Sequence, residues 1–519
     1  MHRSLRDLRE RVFPDHWSLL FGQVAFYSFV VVMVTGVVLM VQYEPSVDHV
    51  VYDGPYAPLR GVSMSRALDS TLAISFEVRA GLLVRQVHHW ASLLMVAAIM
   101  LHLLRLFFTG GFRRPRRLSW LVVFGLLIVT LGACLTGTAL PDDMLSGSSL
   151  AVTDGVVKSV PFVGSDLSRL LFGGEFPGNV IARFYPLHVY VLPAVLVALF
   201  IVLAVLALKR RPAQFAGPGR TNDNVVGRPA VVAAVKGAGM FCFVVGVALL
   251  MGATATINPI WMYGPADPAN ASAGIGPAWY LAFLDGALRL APGWEVVWWG
   301  RTITLAVLLP VVLCTLFLVL VAVYPFIESW IIGDQGDQNL LERPRHNPIR
   351  TGIGVAGIVF YGVLWAAAGA DTMAVLFHLS VNSLIHLFQV LLIVGPPAAF
   401  VLTRRICVGL QKRDLELAVH GIETGRVVRL PDGGYVEDHR PVDAYRRWRL
   451  AGFVPAVPAQ LSDTGQRISS VRRLRVRLAT LFDQDRLTPS PGVRPSPLTP
   501  GPRTTGPSSE VRSLGGSGK

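Results

Sequence analysis

Two histidines, His88 and His102, stand fourteen residues apart within the apolar stretch HHWASLLMVAAIMLH. An imidazole buried at membrane depth is costly, and where it occurs it marks a functional site by default. The chemistry open to it is proton transfer or the donation of a ring nitrogen lone pair to a metal. On a helix, fourteen residues correspond to about 21 Å of rise and bring the two side chains within about 40° of one face. One helix face therefore holds two sites stacked across a bilayer. His89 is thirteen residues from His102 and falls on roughly the opposite side, so His88 is the member of the series. The alternative is a neutral histidine bonded to a neighbouring helix, and spacing alone does not separate the two.

Other residues at matching intervals point to a flat, charged ligand. Gly22 and Gly36 are also fourteen apart, and glycine lets a macrocycle or another backbone come close. Arg85 precedes His88 by three residues and Arg105 follows His102 by three, toward opposite membrane faces, a placement that suits haem propionates. Arginines that merely snorkel at helix ends have the same placement. His188, in ARFYPLHVYVLPAVLVALF, supplies a second ligand helix, and His88 with His188 would hold a bis-histidine haem in a four-helix bundle.

The elements that position these residues are membrane helices. The chain has 519 residues, of which 52% are hydrophobic and 15% charged, with a mean hydropathy of +0.51. This composition predicts an all-α integral membrane protein. Eight runs reach spanning length, near 19–43, 84–108, 118–140, 185–208, 231–252, 303–326, 351–369 and 381–403. The net charge of +14 lies in short basic clusters between those runs, which fits the positive-inside rule and not a nucleic-acid face. Arginines before the first run, between the second and third (Arg113, Arg114, Arg116, Arg117) and after the fourth (Lys209, Arg210, Arg211) place both termini in the cytoplasm of a multi-pass plasma-membrane protein. The first run lacks a small-residue cleavage site, so no removable signal is expected. Cys134, Cys242, Cys314 and Cys407 form no C-x-x-C pair, which argues against disulfides and covalent haem.

The chain divides into an amphipathic N-terminus (1–18), a haem-binding bundle of the first four helices (19–215), a second membrane region (216–403), a cytoplasmic extension (404–484) and a Pro/Ser/Gly-rich tail (485–519) expected to be disordered. Within the extension, the sequence from Arg404 predicts a short separate amphipathic helix, and GRVVRLPDGGYVED predicts two short strands about a turn at Pro431 to Gly434.

The ordered segments FGQVAFYSFVVVMVTGVVLMVQYEPS, RQVHHW, MLHLLRLFFTGGFRRPR, LPDDMLSG, FGGEFPGNVIARFYPLH, PGRTNDNVVG, INPIWMYGP and FHLSVNSL resemble the cytochrome b subunit of the actinobacterial cytochrome bc complex, a menaquinol–cytochrome c reductase. The resemblance covers about residues 1–440. It implies one or two b-type haems, menaquinol oxidation on the outer side, quinone reduction on the inner side, and assembly as a dimer with a Rieske-type iron–sulfur subunit, a cytochrome c subunit and a terminal oxidase. Carried over by position, His88 and His188 match the outer haem ligands and His102 one inner haem ligand. Gly22, Gly36 and Gly137 match the close-contact glycines, Arg85 and Arg105 the propionate partners, and Asp142 and Asp143 a motif of undefined role.

Three departures stand out. The family's second inner ligand falls at Val202 or Leu203, neither of which binds iron, and its glycine beside the inner haem falls at Val123. His386 on the last helix lies outside the haem bundle. The quinol-oxidation motif reads GPAWY, with Trp279 and Tyr280 kept but Ala278 where the family carries an acid that accepts a proton. Asp285 and Glu295 lie nearby in sequence. Two readings follow: a haem-binding redox subunit, or a divergent paralogue that keeps the outer haem alone, with impaired quinol oxidation and an auxiliary role.

Overall fold

The computed structural model describes residues 10–267, 276–333, 336–443, 446–447, 450 and 470–487. The expected tail from 488 onward lies outside the described residues. Eight helices among them are long and apolar enough to cross a membrane: Trp17–Gln42, Gly81–Phe108, Arg117–Ala139, Val180–Lys209, Ala230–Thr254, Leu305–Ile332, Pro348–Ala367 and Val381–His420. A helix satisfies its backbone groups internally, which is why apolar runs of this length fold so in lipid.

The first spanning helix packs on the second and the third on the fourth, and the second also contacts the third. Phe200 of the fourth helix closes the bundle, stacking on Phe29 of the first at 4.8 Å and meeting Phe26 edge-on at 5.4 Å. The fifth helix packs against the first two, and the sixth crosses the third. Pro325 in the sixth helix has no N–H for the Val321 carbonyl one turn back, and Trp120 Nε1 of the third donates to that carbonyl at 3.1 Å. The seventh and eighth helices pair with each other.

The fourth helix is not regular. Between Val180–Pro186 and Leu192–Lys209 lies a π-turn, Leu187–Val191, which contains His188. Here the Leu192 N–H bonds the Leu187 carbonyl five residues back, and the turn takes in one extra residue.

The connections that carry the site are ordered. After the first helix, His49–Val51 pairs antiparallel with Ser63–Ser65, and Ser65 caps a helix at Arg66–Phe76. After the third, Asp143 caps a helix at Met144–Lys158, followed by Gly164–Phe172. Ala282–Leu290 forms a short helix that packs on the seventh.

Beyond the membrane region the expectation of a separate helix from Arg404 is corrected. The eighth helix continues unbroken from Val381 to His420, because residues past Thr403 keep helix-forming character until Gly421 stops it at φ +90. The strand pair is present as Ile422–Arg429 and Tyr435–Arg440. A helix at Ser470–Asp483, not anticipated from sequence, docks Ala479 and Phe482 on Ile331 and Ile349.

Candidate functional site

His88 on the second helix and His188 on the fourth face each other, with ring centroids 6.4 Å apart and planes at 70°. Two imidazoles bound to one iron by bonds of about 2 Å have their centroids a little over 6 Å apart, so the spacing suits a metal between them. Each ring is held through Nδ1. The Thr35 hydroxyl donates to the Val31 carbonyl at 2.7 Å and accepts from His88 Nδ1 at 3.0 Å. His188 Nδ1 donates to the Ala133 carbonyl at 3.0 Å and lies 3.3 Å from the Thr136 hydroxyl. With Nδ1 carrying the proton, Nε2 of each ring is the free lone pair, the arrangement that orients and strengthens a histidine ligand.

Glycines stand opposite both rings. A β-carbon on Gly36 would lie 3.1 Å from His88 Cε1, and one on Gly137 would lie 2.5 Å from His188 Cε1. The same pattern serves both histidines: Thr35 precedes Gly36 and Thr136 precedes Gly137, each pair on the helix facing its histidine. A cavity of about 250 Å³ runs past these groups, lined by Gly36, Arg85, His88, Gly137, His188 and Tyr280 among others. His89, read from sequence as lying away from the series, reaches the cavity wall as well. Arg85 donates from Nη2 to the Asn258 carbonyl at 3.3 Å, and its buried Nε has no partner among the described residues. A free guanidinium nitrogen beside the histidine pair suits an anionic group such as a propionate.

The His102 end differs. Gly22 still faces the ring, with a β-carbon position 3.2 Å from His102 Cε1, but Phe21 precedes it where the other sites have threonine. His102 Nδ1 is buried without a partner among the described residues, as are Nε and Nη2 of Arg105. Leu203 packs into the bundle core, which includes Val123 at 2% exposure, Leu126 and Ile99, whereas Val202 is 42% exposed and turns outward. The π-turn explains the phase: its extra residue makes the fifteenth position after His188, not the fourteenth, return to the bundle interior. Of the two positions, Leu203 faces the bundle interior and Val202 does not. His386 is exposed and bonds Gln389 at 3.2 Å, away from this region. Gly22 and the unpaired Arg105 nitrogens repeat the pattern of the first site, but Leu203 offers no second axial ligand opposite His102.

At the far wall of the cavity, Tyr280 is 2% exposed and Trp279 packs against the same core, its carbonyl accepting from Trp365 Nε1 at 3.1 Å. Ala278 is exposed. Asp285 is committed to Arg289 at 2.8 Å, and Glu295 lies exposed on the strand Glu295–Trp298, so neither takes the place of an acid at 278. Asp143 does line the cavity, at 1% exposure. Sequence reasoning left it without a role; its paired position in LPDDM was the signal. Burial pushes its carboxyl up from the usual range, and hydrogen bonds from Ser146 and the nearby Arg85 offset part of that rise.

Comparison with known proteins agrees with this geometry. Residues 93–265 match the family described as cytochrome b(N-terminal)/b6/petB. The cytochrome bc1 complex cytochrome b subunit of Streptomyces coelicolor is 43% identical over 492 residues, covering 93% of this chain and 90% of that protein. Its counterpart in Mycobacterium tuberculosis is 46% identical, covering 85% and 80%, and that of Corynebacterium diphtheriae 42%, covering 89% and 86%. A solved structure titled hyperthermophilic respiratory Complex III shares the fold, with a TM-score of 0.59 at 20% identity over 78% of this chain and 96% of that one. With its eight membrane helices and identity of this extent, the chain belongs to the cytochrome b subunits of the respiratory cytochrome bc1 complex, the quinol–cytochrome c reductase.

Proposed function

We propose that this subunit holds a single haem b between His88 and His188, near the outer membrane face, and serves menaquinol oxidation in the adjoining cavity. The observation that carries the reading is the facing histidine pair at 6.4 Å with both Nδ1 atoms engaged. When bound, the haem supplies one-electron transfer. Gly36 and Gly137 leave room for a flat ring, and Arg85 takes a propionate. Tyr280 and Trp279 provide an aromatic wall for a quinone head group, while Thr35, Thr136 and the Ala133 carbonyl hold the imidazoles in one orientation. The apolar packing of Leu203 and Val123 beside His102 supports one haem over two.

The natural partners of such a subunit are a Rieske-type iron–sulfur protein as the other electron acceptor, a cytochrome c subunit, and a terminal oxidase downstream, in a dimeric complex of the plasma membrane. The basic loops at Arg113–Arg117 and after Lys209 support cytoplasmic termini. Ala278 favours slower quinol oxidation than an acidic residue there would allow.

The test is the haem b to polypeptide ratio of the purified complex, read by reduced-minus-oxidised spectra during a redox titration. One haem with a single midpoint, lost in His188→Leu, is the expected result. Two midpoints would overturn the single-haem reading, and absence of haem would overturn the electron-transfer role.

A further inference from the structure

We propose that Asp143 is the proton acceptor for quinol oxidation in this chain, in place of the carboxylate absent at Ala278. The assignment rests on the quinol reading of the cavity and deepens it.

Asp143 sits where the third helix gives way to the next connection, and the backbone there is pinned. Ala266 N–H donates to the Asp142 carbonyl and Met144 N–H to the Gly264 carbonyl, both at 3.0 Å, with a β-bridge between Asp143 and Pro265. Asp142 adopts φ +54 and bonds Ser65, which leaves Asp143 as the member of the pair on the cavity wall with His188 and Tyr280. Its two carboxylate oxygens are not equivalent. Oδ1 accepts the Ser146 backbone N–H at 3.1 Å and the Ser146 hydroxyl, as a helix cap does. Oδ2 is buried and has no hydrogen-bond partner among the described residues. A cap needs only one oxygen, and a buried carboxylate oxygen left bare is normally eliminated in a folded protein unless a ligand or a proton meets it.

The other acids near the motif are excluded by their contacts. Asp285 is paired with Arg289, and Glu295 is exposed on its strand. Burial raises the Asp143 carboxyl, and Arg85, on the same cavity wall, offsets part of that rise. In the step assigned here, a quinol O–H bond breaks and an O–H bond forms on Asp143 Oδ2, so the carboxylate becomes a carboxylic acid. Of the two protons and two electrons a quinol gives up, this step covers the one proton taken by Asp143 and the one electron that leaves with it to the iron–sulfur partner, the acceptor named above.

The test compares wild type with Asp143→Asn in the assembled complex, using menaquinol. Asparagine caps a helix as well as aspartate does and is close to isosteric, so the variant removes proton acceptance and keeps the fold. The expected result is a fall in kcat of about 100-fold or more, the usual contribution of a general base. Haem content and binding of a quinone analogue stay at wild-type levels, and Asp143→Glu recovers part of the rate. Infrared difference spectra should show a protonated-carboxyl band on adding quinol to wild type that is missing in Asp143→Asn. Should Asp143→Asn fail to assemble, Asp143→Ser, also a cap former, carries the same comparison. Wild-type turnover matched by the variant, or an infrared band that persists in it, would overturn the assignment alone. Haem-loaded wild type that does not oxidise menaquinol would overturn the quinol reading and the assignment with it.

Discussion

A methyl group at position 137 would collide with His188 Cε1 at 2.5 Å, closer than β-carbons stand to anything in folded proteins. The histidine ring would have to turn, and with it would go its hydrogen bond to the Ala133 carbonyl. Gly137→Ala should therefore lower haem content severalfold while leaving expression near wild type, measured as pyridine haemochrome per polypeptide. His88, His102, Gly22 and Gly36 were legible in sequence because their spacing repeats on helix faces, whereas Gly137 came only from the family resemblance. The threonines beside Gly36 and Gly137 were in view too, but their role depends on which helix faces which, a tertiary fact. The same holds for Asp143: the LPDDM motif marks a position, and only the fold shows that one of its oxygens is bare.

At the scale of elements, the sequence predicts all eight spanning helices and where each begins to within a few residues, because long apolar runs have one stable solution in lipid. What it does not disclose is helix phase. The π-turn at Leu187–Val191 shifts everything after it by one position, so counting fourteen residues from His188 arrives at an outward-facing valine. Supplying His102 with a facing ligand therefore calls for Leu203→His with Val123→Gly. This pair is expected to raise haem content toward two per chain, whereas Val202→His with the same glycine should not; spectroscopic haem quantification separates them. Equal responses would contradict the phase assignment. The end of the eighth helix was misjudged for a related reason: hydropathy changes at Thr403, but the backbone continues until a glycine can adopt a positive φ.

Over the whole molecule, the second membrane region and the C-terminal segment are joined by buried charge. Arg350 is fully buried and bonds Glu328 with Nε at 2.9 Å and Glu342 with Nη1 at 2.6 Å. Arg113 reaches Glu342 at 2.9 Å and Arg486 approaches it at 3.9 Å. Burial pushes the Glu342 carboxyl up, but Arg113, Arg350 and Arg486 outweigh it and hold the group well below the usual carboxylate range. A carboxyl lowered in the folded state contributes stability that is fully present above its unfolded value of about 4.3 and is lost as pH falls below that. Glu342→Gln should cost about 3 kcal/mol at neutral pH, because it leaves buried guanidinium groups short of a counter-charge. The thermal unfolding midpoint should drop accordingly, and the difference from wild type should shrink in acid. No spacing rule brings residues 113, 328, 342, 350 and 486 together, and this cluster was invisible in the sequence.

The packing of Phe29, Phe200, Val123 and Leu203 also has an electrical meaning. Side chains of this kind behave as an insulator, and they fill the bundle core from the His88/His188 cavity toward His102. Under the single-haem proposal, charge delivered near His88 and His188 has no conductor to the opposite face. On that proposal, a respiratory complex built on this chain releases its protons on one side yet moves no electron through the bilayer, and so generates less voltage for each quinol consumed.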